Sequence, residues 1–274
     1  MAIFTKGFEF DYMAQRPIYS VLPEWLIGHC KVAEESTVID LGCGSGLLTS
    51  NLLERFQDSA GFRVFAIDPS QFELDIARSR IKDPRVTFIR GTAQDAATLI
   101  SGDADAVLLC SVLHQIPLSE REAVVQGAFE LLKPGGWVGA NTTFYEGAAQ
   151  PESRLFYIQW MTEARRYLER ASVQCRFPTR HNAAQQVLTP SQHQDLLASA
   201  GFQDIHIEIL YLDWQLEDWE ALSRYSVFIQ GALFPEVDLA LGSLALIEGA
   251  RVAYNSMKIS TVRRGVLHCA GRRL

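Results

Sequence analysis

The run Val38-Ile39-Asp40-Leu41 leads without a break into Gly42-Cys43-Gly44-Ser45-Gly46, and an amphipathic pattern, LLTSNLLERF, follows at once. Three glycines in five residues belong where backbone turns tightly and a ligand comes close to the main chain. The first turn of the following helix offers unpaired N–H groups to an anionic group. Strand, glycine turn and helix in that order open an α/β sheet of the kind that binds ligands where its strands end. The plain alternative is an ordinary strand-to-helix turn. A dinucleotide fingerprint would carry its third glycine one residue later, where Leu47 stands.

Downstream, the same alternation continues. RVFAID, RVTFIRG, DAVLLCSV and WVGANTTF read as short, continuous apolar strands, separated by the helical patterns FELDIARSR and REAVVQGAFELL. Strands of this kind between amphipathic helices imply a mostly parallel sheet covered on both faces, a doubly wound α/β core. After Phe144 the alternation stops, then resumes with TPSQHQDLLASA, Gly201 and the strand IHIEILYL. The expected plan is a seven-stranded sheet with a helical cap contributed by two insertions. Residues 1–145 hold N-terminal helices and the first part of the core, 146–188 the first cap insertion, and 189–214 the core continued. Residues 215–260 hold the second cap insertion and 261–274 the last core strand.

At 274 residues, one core domain with an attached subdomain is the expectation. A net charge of -7 disfavours a general nucleic-acid binder, which needs a basic face against phosphates. Met1 to Arg16 lacks the apolar run of a secretory signal, and no span has the length and apolarity of a transmembrane helix. The five cysteines are odd in number and form no CxxC pair, which argues against a disulfide framework and a zinc site, so no metal is expected. A reducing cytoplasm fits this composition.

The first insertion is most informative as a surface. Winding residues 156–171 at 100° per residue gathers Phe156, Tyr157, Trp160, Met161, Ala164, Tyr167 and Leu168 on one face, with Arg165, Arg166, Glu169 and Arg170 outside it. Four buried aromatics represent on the order of 20 kcal/mol, so the stripe belongs against something. It docks on the sheet domain, or on a second subunit of a homodimer, or walls a substrate pocket with Tyr157 and Trp160. Six arginines between Arg154 and Arg180, against two glutamates, offer attraction to a carboxylate or phosphate; a solvated face is the plain alternative. His181 is a further candidate for lining that pocket.

Three companions give the glycine loop its weight. Asp40 precedes it by two residues, Asp68 ends the next strand, and Asp95 stands just beyond the third. Through VIDLGCGSG, AIDPS, RGTAQD, DAVLLCSVLH and the KPGG turn at Lys133 to Gly136, the chain resembles the Rossmann-like S-adenosylmethionine (SAM)-dependent methyltransferases of small-molecule type. The resemblance implies that Gly42, Cys43, Gly44 and Gly46 pass beside the methionine portion of SAM, with Asp40 orienting its amino group. It implies that Asp68, with Pro69 beside it, receives both ribose hydroxyls, and that Ala93, Gln94 and Asp95 border the adenine. Cys110 and Ser111 would line the sulfonium region. The stretch FDYMAQRPIY is similar to the start of several family members in which aromatic residues close over SAM, which makes Tyr12 and Tyr19 candidates for that lid; core packing is the alternative.

Methyl transfer proceeds largely by positioning, for which oriented reactants supply about 7 to 11 kcal/mol. His114 is the candidate base after the fourth strand, with a pocket-lining role as its alternative. The expectation is a methyltransferase acting on a small, partly apolar or anionic metabolite of secondary or specialised metabolism, with no nucleic-acid or membrane partner. The alternative class is a SAM-binding protein that transfers no methyl, since cofactor motifs report binding only.

Overall fold

The computed structural model describes residues 10–173 and 187–274. In chain order its elements are α1 (Asp11–Ala14), α2 (Pro17–His29), β1 (Thr37–Leu41), α3 (Leu47–Arg55), β2 (Arg63–Asp68), α4 (Gln71–Arg80) and β3 (Val86–Arg90). There follow α5 (Ala96–Leu99), β4 (Ala104–Cys110), α6 (Leu118–Leu131), β5 (Leu132–Thr142), α7 (Arg154–Arg170), α8 (Pro190–Ser199) and β6 (Gln203–Trp214). The series closes with α9 (Leu216–Leu222), α10 (Ser226–Ala232), α11 (Leu239–Met257) and β7 (Val262–Arg272).

The seven strands form one sheet in the order β3-β2-β1-β4-β5-β7-β6. Pairing is parallel from β3 through to β5, and β7 runs antiparallel to β5. This is the expected doubly wound, mostly parallel sheet. Its strand order reverses beside β1, the place where such sheets hold ligands.

Side-chain alternation sorts the core into two layers. Ile39, Leu41, Val107 and Leu109 pack on one face with Val124, Ala128 and Leu131 of α6 and Leu196 and Leu197 of α8. Val38, Ala66, Ala106 and Leu108 pack on the other with Leu26, Leu48, Leu52 and Leu74 of α2, α3 and α4. The helices begin where their sequences allow. Ser70 caps α4 through the Glu73 N–H, and Thr189 and Gln192 form a reciprocal box at the start of α8, with Pro190 in its first turn.

The chain divides into two compact units. The sheet unit comprises 20–145, 188–210 and 267–274, and the helical unit 1–19, 146–187 and 211–266. Residues 10–19 thus group with the inserted helices.

Within the helical unit, α7 and α11 are the principal pair. Gly249 of α11 lets the two backbones meet: a Cβ there would stand 2.7 Å from the Trp160 carbonyl oxygen and 2.9 Å from the Ala164 nitrogen. Around them Phe156, Trp160, Trp219 and Tyr254 form a continuous aromatic cluster, with ring centroids 5.0 to 5.5 Å apart. Trp160 is 1% exposed, and its indole N–H donates to the Leu246 carbonyl at 2.7 Å. Among the described residues no helix is long and apolar enough to cross a membrane.

Candidate functional site

Three residues meet at the carboxyl ends of neighbouring strands because of strand parity. Asp40 pairs with Ala66 of β2 and Leu108 of β4, so Asp68 and Cys110, each two residues further on, fall on the same face of the sheet. That face also receives α3, and Thr49 of α3 donates its hydroxyl proton to Asp40 Oδ2 at 2.7 Å. Asp40 is fully buried and its Oδ1 has no hydrogen-bond partner. Burial pushes its carboxyl up to about 7, against the hydrogen bonds from Thr49 and with added repulsion from Asp68.

The loop between β1 and α3 folds over the end of β2. The N–H groups of Gly42 and Cys43 both donate to the Ile67 carbonyl, at 2.8 and 2.9 Å. Gly42, Gly44 and Gly46 all hold positive φ, at 74°, 51° and 94°, a region open to glycine and strained for other residues. A Cβ at Gly42 would lie 2.6 Å from a Val112 methyl, and one at Gly46 2.7 Å from Ile81 Cδ1. A Cβ at Gly44 would meet nothing within 4 Å, so that side of the loop lies open to a ligand.

Asp68 ties this loop to the next helix. Its Oδ2 accepts from the Gly44 N–H at 2.9 Å and its Oδ1 from the Ser70 N–H at 2.8 Å. Burial raises its carboxyl while these two N–H groups pull it back. Each carboxylate oxygen keeps a second lone pair for a hydroxyl donor. Pro69 is exposed beside it. Cys43 and Cys110 are both pushed up by burial and by the Asp40 charge, Cys110 to about 12, so both thiols stay neutral and neither is a nucleophile near pH 7.

Beyond β3, Asp95 is exposed and accepts from the Thr92 N–H and hydroxyl, which holds its carboxyl below the usual range. Ala93 is half-buried, and the Gln94 amide donates to Glu120. Past β4, Ser111 carries a positive φ of 61°, and its N–H donates to the buried Asn141 side chain at 2.9 Å. Asn141 also donates to the Leu22 carbonyl, which clamps the chain where β4 gives way to the loop. His114 stands in that loop against the Phe144 ring, with Nδ1 3.0 Å from the Thr142 hydroxyl. Thr142 already accepts the Phe144 N–H, so its own proton is free to go to Nδ1. The Thr142 hydroxyl can equally accept from Nδ1–H, so this contact fits either neutral tautomer of His114.

The remaining expected residues fall elsewhere. Trp160 is wholly enclosed in the helical unit's own core and presents no surface as a substrate wall. Tyr157 is half-buried, and its hydroxyl accepts from Arg264 at 2.9 Å. Tyr19 is buried edge-to-face against Phe10 and Trp214, the core-packing role, and Tyr12 stays 41% exposed with the Arg224 guanidinium over its ring. His181 lies outside the described residues, as do Arg176 and Arg180. Sequence reasoning passed over Thr49, Val112, Asn141 and Thr142. Only Thr49 carries a signal, a polar residue early in a helix whose facing strand holds an aspartate. Among the described residues no His, Cys, Asp and Glu cluster has metal-binding geometry.

Residues 38–136 match a family model described as a methyltransferase domain. A ubiquinone biosynthesis O-methyltransferase of Azoarcus sp. (strain BH72) is 30% identical over 132 residues, 46% of this chain and 53% of its own length. The chain thus spans about half the length of the curated relatives it matches. Phosphoethanolamine N-methyltransferase 2 of Haemonchus contortus, solved with phosphomonomethylethanolamine and S-adenosylhomocysteine, superposes with a TM-score of 0.53 at 16% identity, over 92% of this chain and 52% of that one. The [4+2]-cyclase SpnF superposes with a TM-score of 0.53 at 16% identity, over 93% and 81%. At such identities the two structures share the fold.

Proposed function

We propose that this chain, whose residues 38–136 belong to the methyltransferase domain family, is a SAM-dependent methyltransferase that acts on a small molecule. The observation that carries this reading is the loop of three positive-φ glycines set between the carboxylates of Asp40 and Asp68. The residues suit the cofactor: SAM brings an ammonium, a sulfonium and two ribose hydroxyls, and this pocket offers a buried carboxylate oxygen without a partner and a second carboxylate with lone pairs to spare.

Asp40 Oδ1 would accept from the ammonium group, and Asp68 from the ribose hydroxyls. The open side of Gly44 would leave room for the methionine chain, while Ala93, Gln94 and Asp95 would border the adenine. Cys110 and Ser111 would line the sulfonium region as neutral groups. SAM when bound supplies an electrophilic methyl group and leaves as S-adenosylhomocysteine. The protein's part is to hold the acceptor in line with that methyl and keep water away. His114, held by Thr142 in the loop after β4, serves this as a hydrogen-bond partner of the acceptor molecule.

The activity named for the sequence relatives favours oxygen as the acceptor atom. The preferred substrate is a small, partly apolar molecule bearing a hydroxyl. Incubation of the chain with SAM and a library of hydroxylated aromatic acids, read by mass spectrometry, tests the proposal. A product heavier by one methylene, with S-adenosylhomocysteine formed in equal amount, supports it. Retention of SAM unchanged across the library, with calorimetric binding intact, would instead favour a SAM-binding protein without transfer.

A further inference from the structure

We propose that Thr49 is a positioning residue for the cofactor: its hydroxyl fixes Asp40 by one carboxylate oxygen and holds the other, buried and unpartnered, for the SAM ammonium group. The inference rests on the reading of this loop as a SAM site. Three observations carry it. Thr49 and Asp40 are both fully buried and joined at 2.7 Å. Asp40 Oδ1 is the oxygen left without a partner. Thr49 sits on α3 directly after the glycine loop, so one short helix presents both the loop's end and the group that sets the carboxylate.

The groups that bear on this carboxylate from every neighbouring element are acidic or neutral. They are Asp68 at the end of β2, Cys43 in the loop and Cys110 at the end of β4, with Glu73 of α4 acting on Cys43. A cationic donor is the complement of such a setting. Burial brings the Asp40 carboxyl up to about 7, whereas the ammonium requires a carboxylate. Binding therefore expels the Asp40 proton to solvent wherever the proton is present, so SAM affinity falls as pH drops below about 7. Thr49 lowers the carboxyl against burial, so loss of its hydroxyl raises the pH at which SAM binds.

The test is calorimetry of the full chain with SAM at pH 5.5 and pH 7, each in two buffers of different ionisation enthalpy. The expected result is binding roughly tenfold weaker at pH 5.5, with about one proton released there and fewer at pH 7. Thr49→Val should weaken binding at pH 7 by about tenfold or more and move the midpoint upward, and Thr49→Ser should restore both. Wild-type affinity and midpoint in Thr49→Val would overturn the assignment. So would wild-type affinity that is flat between the two pH values, a readout that decides the matter even if the valine variant does not fold. A wild-type chain that binds no SAM at either pH would remove the cofactor reading and this inference with it; binding with an indifferent valine variant would remove Thr49 alone.

Discussion

A single added methyl group separates two effects at Gly249. Glycine inside a helix costs about 1 kcal/mol relative to alanine, so propensity alone makes Gly249→Ala stabilising. Against this, the new Cβ would stand 2.7 Å from the Trp160 carbonyl oxygen and 2.9 Å from the Ala164 nitrogen, where ordinary contact begins at 3.4 Å. Both atoms are backbone of α7, so relief requires the two helices to part by several tenths of an ångström. Separation on that scale forfeits a quarter to a half of the dispersion attraction at each affected contact, and overpacked cores lose about 1 to 3 kcal/mol. With the long α7–α11 seam at stake, the upper part of that range applies, and the net expectation is destabilisation by about 1 to 2 kcal/mol. Gly127 of α6 provides the control: it is also mid-helical, but a Cβ there meets nothing within 4 Å. Gly127→Ala should therefore stabilise by about 0.5 to 1 kcal/mol. Guanidinium unfolding followed by tryptophan fluorescence reads the first, and far-ultraviolet circular dichroism reads both. Gly249→Ala at or above wild-type stability would refute the close-contact argument.

Trp160→Ala should destabilise the protein by about 3 to 5 kcal/mol, since it empties a fully buried site and removes the indole hydrogen bond to the Leu246 carbonyl; denaturant unfolding measures it. Asp68→Ala should weaken SAM binding tenfold or more in calorimetry, because it removes the ribose acceptor and releases the Gly44 and Ser70 N–H groups together. In the absence of ligand, Asp40 and Asp68 titrate higher in the folded than in the unfolded chain, so their contribution to stability is greatest at low pH and is lost as pH rises. For Asp40 the loss runs from about pH 4 to about pH 7. Thermal midpoints across that interval should fall less steeply in Asp40→Asn.

Much of the sheet unit is legible in the sequence because β1, β2 and β4 are largely buried and so read as near-continuous apolar runs. Asp40, Asp68 and Cys110 could be grouped from sequence since each closes a parallel strand, and strand parity then puts them on one face. Parity also hides what completes the site. Thr49 meets Asp40 only because α3 lies over that face, and Asn141 meets Ser111 only because β5 lies beside β4, so both depend on pairings that local pattern does not encode. The helical unit shows the opposite limit. The stripe on α7 was evident as a buried face, but its partner is α11, some ninety residues later, and nothing in the stripe distinguishes a wall for substrate from a seam between helices. Tyr19 carries the same ambiguity: an aromatic at this place in the sequence reads alike as lid or as core, and in the structure it packs against Phe10 and Trp214.

The strand order has a consequence for synthesis. β7 is the latest strand in the sequence, yet it sits between β5 and β6. As the chain leaves the ribosome, β1 to β5 can pair in turn, but the free side of β5 has no neighbour until β7 emerges, and β6 has none at all. For that interval the nascent protein carries, besides the β3 edge, the open side of β5 and both sides of β6, each able to recruit another chain. A transcript that stops short of Val262 would thus yield a protein that retains every residue of the glycine loop and is nonetheless prone to aggregate.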